Sequence, residues 1–385
     1  MSFGVLRPVG NRIPAPTGWE NGDYPWPHYQ TECLNSGTAA LSVALRAARR
    51  QKPTIAAPEV ILPAYACPDL VAAAVAAGVK PILADLASHS PWMDTQNIRA
   101  SISENTIALV AVNFLGRLAP LSPLRHIADE HGLVLIEDSA QAIPPSSSEN
   151  PLADYVVLSF GRGKPVNLMG GGALLFKAKD AGLVEDLLAK CPLRTVVCNP
   201  AWRLKRAIYH TLMGRVLYGI MLRIPMLHLA ETRFLALGEV TRLAIPVSLV
   251  LRGISGFERS APKSQKLQEN LGFLQERGWV LLSNEEWKVP GALGPRLNKV
   301  LRFSMLAPDR EERHRALKAL QNAGIGANEL YGVALPMVEG IENHLGQQRG
   351  EFPNAQNFAQ RLITLPSHED VTDADIRAMA RVLKR

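Results

Sequence analysis

Hydrophobic and polar positions follow two patterns along the chain. Short apolar runs read as buried strands: Val60-Ile61-Leu62, Lys80-Pro81-Ile82-Leu83-Ala84, Ile107-Ala108-Leu109-Val110-Ala111-Val112, Leu133-Val134-Leu135-Ile136, Tyr155-Val156-Val157-Leu158-Ser159 and Ala173-Leu174-Leu175-Phe176. Helical signals fall between them. Ser36 is a good N-cap for an Ala/Leu-rich run to about Gln51, Asp69 to Ala77 is Ala-rich, and Pro123 to His131 completes the series. Strands without polar alternation, separated by helices, predict a mostly parallel sheet covered on both faces. The first 35 residues, rich in Pro, Gly and aromatics, read as an irregular arm.

Further along, Ala261 to Gln275 is helical and leads into a second domain, with the boundary near residue 260. In it, Val300 to Met305 is a strand, and Arg310 to Ala323 is a helix closed by Gly324. The last helix opens at Thr372, where Thr372-Asp373-Ala374-Asp375 is a capping box with Asp in place of Glu. The expected organisation is a large α/β domain over 1–260 and a smaller α+β domain over 261–385.

Composition narrows the class. The 385 residues are 47% hydrophobic and 20% charged, the usage of an ordinary globular protein, which excludes disordered, collagen-like and disulfide-scaffold chains. No uncharged apolar run approaches the ~18 residues of a membrane span, and the segment from Met1 to Pro8 has no apolar core of signal-peptide length. A cytoplasmic location is expected, with the inner face of the membrane as the place of any peripheral contact. Cys33, Cys67, Cys191 and Cys198 show no CxxC spacing, so neither a zinc site nor a disulfide framework is indicated.

Charge changes the picture more. With 42 Lys/Arg against 35 Asp/Glu the formal charge is +7, and Leu187 to Ala230 carries seven Lys/Arg and no acid, so the rest of the chain is neutral. From Ala201 to Met213 the bases alternate with large hydrophobes. Such a stretch suits a helical excursion packed on its own protein or a second subunit, an anionic membrane surface, or an acidic substrate or partner. Residues 201–225 are thus a candidate lipid contact. Nucleic acid is not expected, because no recognisable binding module surrounds the bases.

Three features sit at strand ends or helix starts, where open α/β sheets bind ligands. Ser36-Gly37-Thr38-Ala39 presents free N–H groups to a phosphate, though it is also a commonplace helix start. Glu137-Asp138-Ser139-Ala140-Gln141 follows an apolar strand; its carboxylate suits a ligand cation or simply caps the next turn. Ser159-Phe160-Gly161-Arg162-Gly163-Lys164 is not a P-loop, since Pro165 follows the lysine. Lys164 is either a Schiff-base former or an ordinary surface lysine.

In this order the three resemble the DegT/StrS-type family of pyridoxal-phosphate-dependent sugar aminotransferases, of the fold type I, aspartate aminotransferase-like superfamily. The run Ser36 to Leu41, the segment Val60 to Tyr65, Gly78-Val79-Lys80-Pro81, and Val112 through His131-Gly132-Leu133 to Gln141 are similar to the family pattern. So are Ser159-Phe160 with Lys164 and, more loosely, Leu365-Pro366-Ser367-His368 with the last helix. The resemblance implies a mostly parallel seven-stranded sheet in the large domain, a homodimer, and pyridoxal 5′-phosphate as cofactor. It implies Lys164 as the Schiff-base lysine and Asp138 as partner of the pyridine nitrogen. Gln141 would lie near the ring hydroxyl, with Gly37, Thr38 and Ser159 at the phosphate. Where the family stacks an aromatic on the ring this chain has Cys67, with Tyr65 as the alternative cover.

Other departures concern the substrate side. Asn113 replaces a family His, Gly170 a family Glu, and the Asn-x-Arg segment that reaches the neighbouring subunit is reduced to Thr241-Arg242 at most. The expected activity is transfer of an amino group from an amino acid, glutamate or glutamine, to a keto acceptor. By resemblance that acceptor is a nucleotide-linked keto-sugar in polysaccharide or secondary-metabolite synthesis. A lipid-linked or acyl carbonyl at a membrane surface, and a non-catalytic binding protein of the same fold, are the alternatives.

Overall fold

The computed structural model of the chain describes residues 4–16, 23–144, 151–195, 197–222, 232–259, 261–282 and 299–385. The larger of its two sheets contains β1 (Gln30–Leu34), β2 (Glu59–Pro63), β3 (Lys80–Ala84), β4 (Thr106–Val112), β5 (Val134–Asp138), β6 (Tyr155–Ser159) and β7 (Gly172–Phe176). Their order is β3-β2-β4-β5-β6-β7-β1, and β9 (Arg242–Leu243) and β8 (Leu193–Arg194) extend the sheet beyond β1. Strands β2 to β6 pair in parallel, whereas β7 runs against both β6 and β1.

Two expectations are corrected here. The sheet has nine strands, because the ends of the basic excursion add β8 and β9 to the seven expected. The arm is not irregular throughout, since Gln30–Leu34 is strand β1. Its sequence hides this: only Cys33 and Leu34 are buried, while Glu32 faces Arg242 of β9 across a two-bond ion pair of 3.0 and 3.2 Å.

Continuous apolar strands need cover on both faces, and helices supply it. Helix α1 (Gly37–Gln51) packs on β6 and β7 and beside α2 (Asp69–Ala77); its buried alanines permit the close approach. Around the same sheet lie α3 (Thr95–Ser101), α4 (Leu121–His131) and α5 (Ala181–Leu188). The basic stretch forms α6 (Pro200–Leu212) and α7 (Arg215–Met221), and α8 (Val247–Glu258) follows. Pro200 opens α6 and Asn199 caps it, accepting the Trp202 N–H at 2.7 Å. Arg223 and the expected boundary at residue 260 lie outside the described residues.

The second sheet is antiparallel, β10 (Val280–Leu281), β11 (Arg302–Leu306) and β12 (Leu362–Pro366), with β11 in the middle. Helices α9 (Ala261–Leu271), α10 (Arg310–Asn322) and α13 (Asp373–Lys384) share its core, and α11 (Glu342–Leu345) and α12 (Pro353–Arg361) precede β12. The α13 capping box forms as read, with both reciprocal bonds between Thr372 and Asp375. Leu6, from the start of the chain, is buried in this second core. No helix among the described residues is long and apolar enough to cross a membrane.

Candidate active site

Because β2, β4, β5 and β6 are parallel, their carboxyl ends share one edge of the sheet, and β7 begins there. Gly172, at its start, lies against α1. A Cβ at this position would stand 2.5 Å from Gly37 N and 2.6 Å from Leu158 O and Ser36 C, so only hydrogen fits. A Cβ on Gly37 would be 2.9 Å from Ser159 Cβ and 3.3 Å from its Oγ. These approaches bring the Ser159 hydroxyl to the first turn of α1. There Ser36 Oγ accepts the Ala39 N–H at 3.0 Å and Ser36 O the Ala40 N–H at 3.1 Å. The Gly37 and Thr38 N–H groups precede the first intrahelical bond, so the helix offers them, with its positive end, to an anion.

Asp138 ends β5 and is buried. One oxygen, Oδ1, accepts the Ala140 N–H at 2.9 Å, and no ion pair holds the carboxylate among the described residues. Burial pushes its pKa up, against the pull of that N–H and of Lys164. A buried carboxylate of this kind lacks a cation, and a protonated ring nitrogen would supply one. Lys164 sits half-buried on the loop between β6 and β7, which Phe160 and Gly171 close with a 2.8 Å backbone bond. Arg162, two residues before, is exposed and lies 5.9 Å over the Tyr209 ring of α6.

Glu137 is also buried but belongs to a closed network. Asn113 Nδ2 donates to Glu137 Oε1 (2.7 Å) and to Ser139 Oγ (2.6 Å), and Ser139 Oγ donates to Glu137 Oε1 (2.9 Å). The Asn113 Oδ1 accepts the Ala119 N–H at 2.6 Å. A carboxamide supplies the two donors and one acceptor this position uses; a neutral imidazole supplies the acceptor but only one donor. The departure at Asn113 is therefore structural, fixing the two turns that flank Asp138.

Gln141 is held at both ends: Oε1 accepts the Leu115 N–H at 3.1 Å and Nε2 donates to the Tyr331 hydroxyl at 2.6 Å. Tyr331, unnoticed in the sequence, reaches this edge from the segment after α10, between Leu330 (φ +60°) and Gly332 (φ +76°). Its charge environment includes Cys67, Tyr65 and Asp138. Only the aromatic beside a glycine signals it, and that is no signal of function. Leu115 also has positive φ (+51°), and its carbonyl accepts the Leu301 N–H at 2.7 Å. Next to it, a Cβ on Gly116 (φ +98°) would stand 2.6 Å from Leu301 N.

The two ring-covering candidates part company. Tyr65 is buried among aromatics, with ring centroids 5.1 Å from Phe358, 5.4 Å from Tyr331 and 6.2 Å from Phe114. Cys67 is half-buried and within the electrostatic reach of both Lys164 and Asp138; burial first, then Asp69, pushes its thiol up to about 12. Arg242 pairs with Glu32 of its own chain.

The edge thus offers an anion cradle at Gly37, Thr38 and Ser159, an amine at Lys164, and a buried carboxylate at Asp138. This set fits a phosphorylated pyridine aldehyde. Residues 30–191 and 280–384 match the model of the DegT/DnrJ/EryC1/StrS aminotransferase family, and the span between, with α6 to α8, lies outside the match. A pleiotropic regulatory protein of Geobacillus stearothermophilus is 24% identical over 341 residues, 88% of this chain and 80% of that protein. An L-glutamine:2-deoxy-scyllo-inosose aminotransferase of Streptomyces kanamyceticus is 37% identical over 30% of this chain and 26% of its own. Among solved structures, a Streptococcus pneumoniae protein provisionally described as a sugar aminotransferase, in its PMP form, superposes with a TM-score of 0.71 at 18% identity, covering 98% of both chains. At that identity the likeness is one of fold, the fold type I architecture. The chain belongs to the DegT/DnrJ/EryC1/StrS aminotransferase family, a family of pyridoxal-phosphate-dependent enzymes.

Proposed function

We propose that the protein moves an amino group from glutamate or glutamine to a nucleotide-linked keto-sugar, acting as a homodimer. The observation that carries the reading is the convergence of an unpaired, buried Asp138 and Lys164 beside the open N-terminus of α1. Relatives named for perosamine synthesis and for amination of inososes support a sugar-like acceptor.

Pyridoxal 5′-phosphate, when bound, supplies a carbonyl that exchanges amines and a ring that accepts the electron pair left by a departing α-proton. The chain's part is to place and charge it. The Gly37 and Thr38 N–H groups and the Ser159 hydroxyl hold the phosphate. Asp138 keeps a proton on the ring nitrogen, since the burial that disfavours a lone carboxylate favours one paired with an N–H cation. Gln141, fixed by Leu115 and Tyr331, borders the ring hydroxyl, and Cys67 lines the covering side, with Tyr65 packed among its aromatic neighbours. The Lys164 amine would serve as the base that takes and returns the donor's α-proton. The reading includes a division near residue 260 into a cofactor-binding body (1–260) and a smaller one (261–385).

A lipid-linked or acyl carbonyl acceptor is the second reading, favoured by the exposed apolar side chains of α6 and α7. A non-catalytic role is disfavoured, because a decayed site has no need of both Lys164 and Asp138. Absorption spectra of wild type and Lys164→Ala, before and after L-glutamate, test the proposal. A visible band that requires Lys164 and is bleached by the donor is expected; no band after incubation with the cofactor defeats it.

A further inference from the structure

Helices α6 and α7 are held firmly on one side and stand open on the other. On the inner side, Trp202 Nε1 donates to Leu168 O at 3.1 Å and Asn167 Nδ2 to the Tyr209 hydroxyl at 3.3 Å. Arg206 Nε donates to Ile13 O and Pro14 O at 3.1 Å, and His210 Nε2 accepts the Ile13 N–H at 3.1 Å. Helix α7 is tied by Arg215, bidentate to Asp375 at 2.6 and 2.8 Å and bonded to Asp370 O at 3.2 Å.

The outer side is apolar. Leu204 is 63% exposed and Val216 56%, and Ile208, Leu217, Ile220 and Leu222 are exposed with them. These six make up nearly half of the 13 exposed large hydrophobics among the described residues, within a stretch of 19, so the apolar exposure is concentrated on these two helices. Arg203 and Lys205 stand exposed among them, with no carboxylate partner among the described residues.

We propose that this outer face docks the protein onto an anionic lipid bilayer. Charge decides the occupant. A second copy applied through the same face would set Arg203 and Lys205 against themselves. The rest of the chain holds 35 bases and 35 acids, so a second copy as a whole brings no net negative charge to this face. An anionic bilayer meets both demands: apolar side chains enter the headgroup boundary, and the cations between them face lipid phosphates. Because the inner side grips Asn167 and Leu168, three and four residues beyond Lys164, docking also fixes the active site at the membrane surface. The proposal goes beyond the aminotransferase reading and does not rest on it.

The test is co-sedimentation of the full chain with vesicles of phosphatidylcholine holding about one-quarter phosphatidylglycerol, against phosphatidylcholine alone. Binding only to the anionic vesicles, weakened by salt, is expected. The double variant Leu204→Ser/Ile208→Ser should bind about tenfold more weakly, and Lys205→Ser about fivefold more weakly. Met337→Ser, equally exposed at 62% but outside these helices, should bind as wild type does. Gel filtration and circular dichroism of each variant should match wild type. Absence of binding to anionic vesicles at low salt overturns the proposal, as does binding that all variants retain. A variant that changes the oligomeric state overturns it too, by giving the face to another copy.

Discussion

At the carboxyl edge of the large sheet, polar side chains are buried and almost all are answered inside the chain; on α6 and α7, apolar side chains stand in water unanswered. Asn113, Glu137 and Ser139 bond one another and Gln141 bonds Leu115 and Tyr331, leaving Asp138 as the one buried carboxylate there without a matching partner. On the helices the mismatch has the opposite sign. The difference teaches how to separate support from recognition: in each region the groups that look outward are those that the rest of the molecule does not satisfy. It also follows the family boundary, since the edge lies within the matched residues and α6 and α7 lie outside them.

Three substitutions press on this comparison. Asp138→Asn should have the largest effect, because an amide cannot hold a proton on a ring nitrogen as a carboxylate can. The single-turnover rate with glutamate should fall about 10²–10⁴-fold, while the cofactor-free protein melts no lower than wild type, since a costly buried charge is gone. A cofactor-free variant that melts much lower would recast Asp138 as structural. Gly172→Ala comes next. Its Cβ meets three backbone atoms that cannot yield, so a loss of roughly 1–3 kcal/mol in urea unfolding and weaker cofactor binding should appear together. Unchanged cofactor affinity would detach the β7–α1 contact from the cradle.

Arg215→Ala should have the smallest effect, about 0.5–1 kcal/mol for a partly exposed pair. Its size depends on pH. Burial raises the Asp375 carboxyl, but Arg215 and Thr372 outweigh it and hold the group at about 2, below its ordinary 3.8. A depressed folded-state pKa adds stability that is complete above 3.8 and is lost as pH falls toward 2. Wild type and variant should therefore differ in melting temperature at neutral pH and converge at about pH 2. A gap that persists in acid would mean that the tether acts through packing instead.

What the sequence made legible was local. The apolar runs became β2 to β7, Ser36 and Thr372 cap their helices as read, and the residues assigned to the cofactor gather at one edge. The illegible parts were set by distant partners. Strand β1 exists because β7 and β9 flank it, and its own five residues carry no apolar run. Tyr331 meets Gln141 across 190 positions from an aperiodic segment. Asn113 stood out only as a mismatch, and its network needed Glu137 and Ser139 folded back beside it.

The turn at Leu115 has a mechanical consequence. Its peptide groups are shared: the N–H reaches Gln141, the carbonyl reaches Leu301 just before β11, and Gln141 itself is held again by Tyr331 from the segment leading toward β12. The segments that lead into the three-stranded sheet are thereby lashed to the carboxyl edge of the large sheet on either side of one glutamine. One side chain thus belongs to two load paths, and a change at Gln141 should be felt at once in the turn after Asp138 and in the segments that lead into β11 and β12.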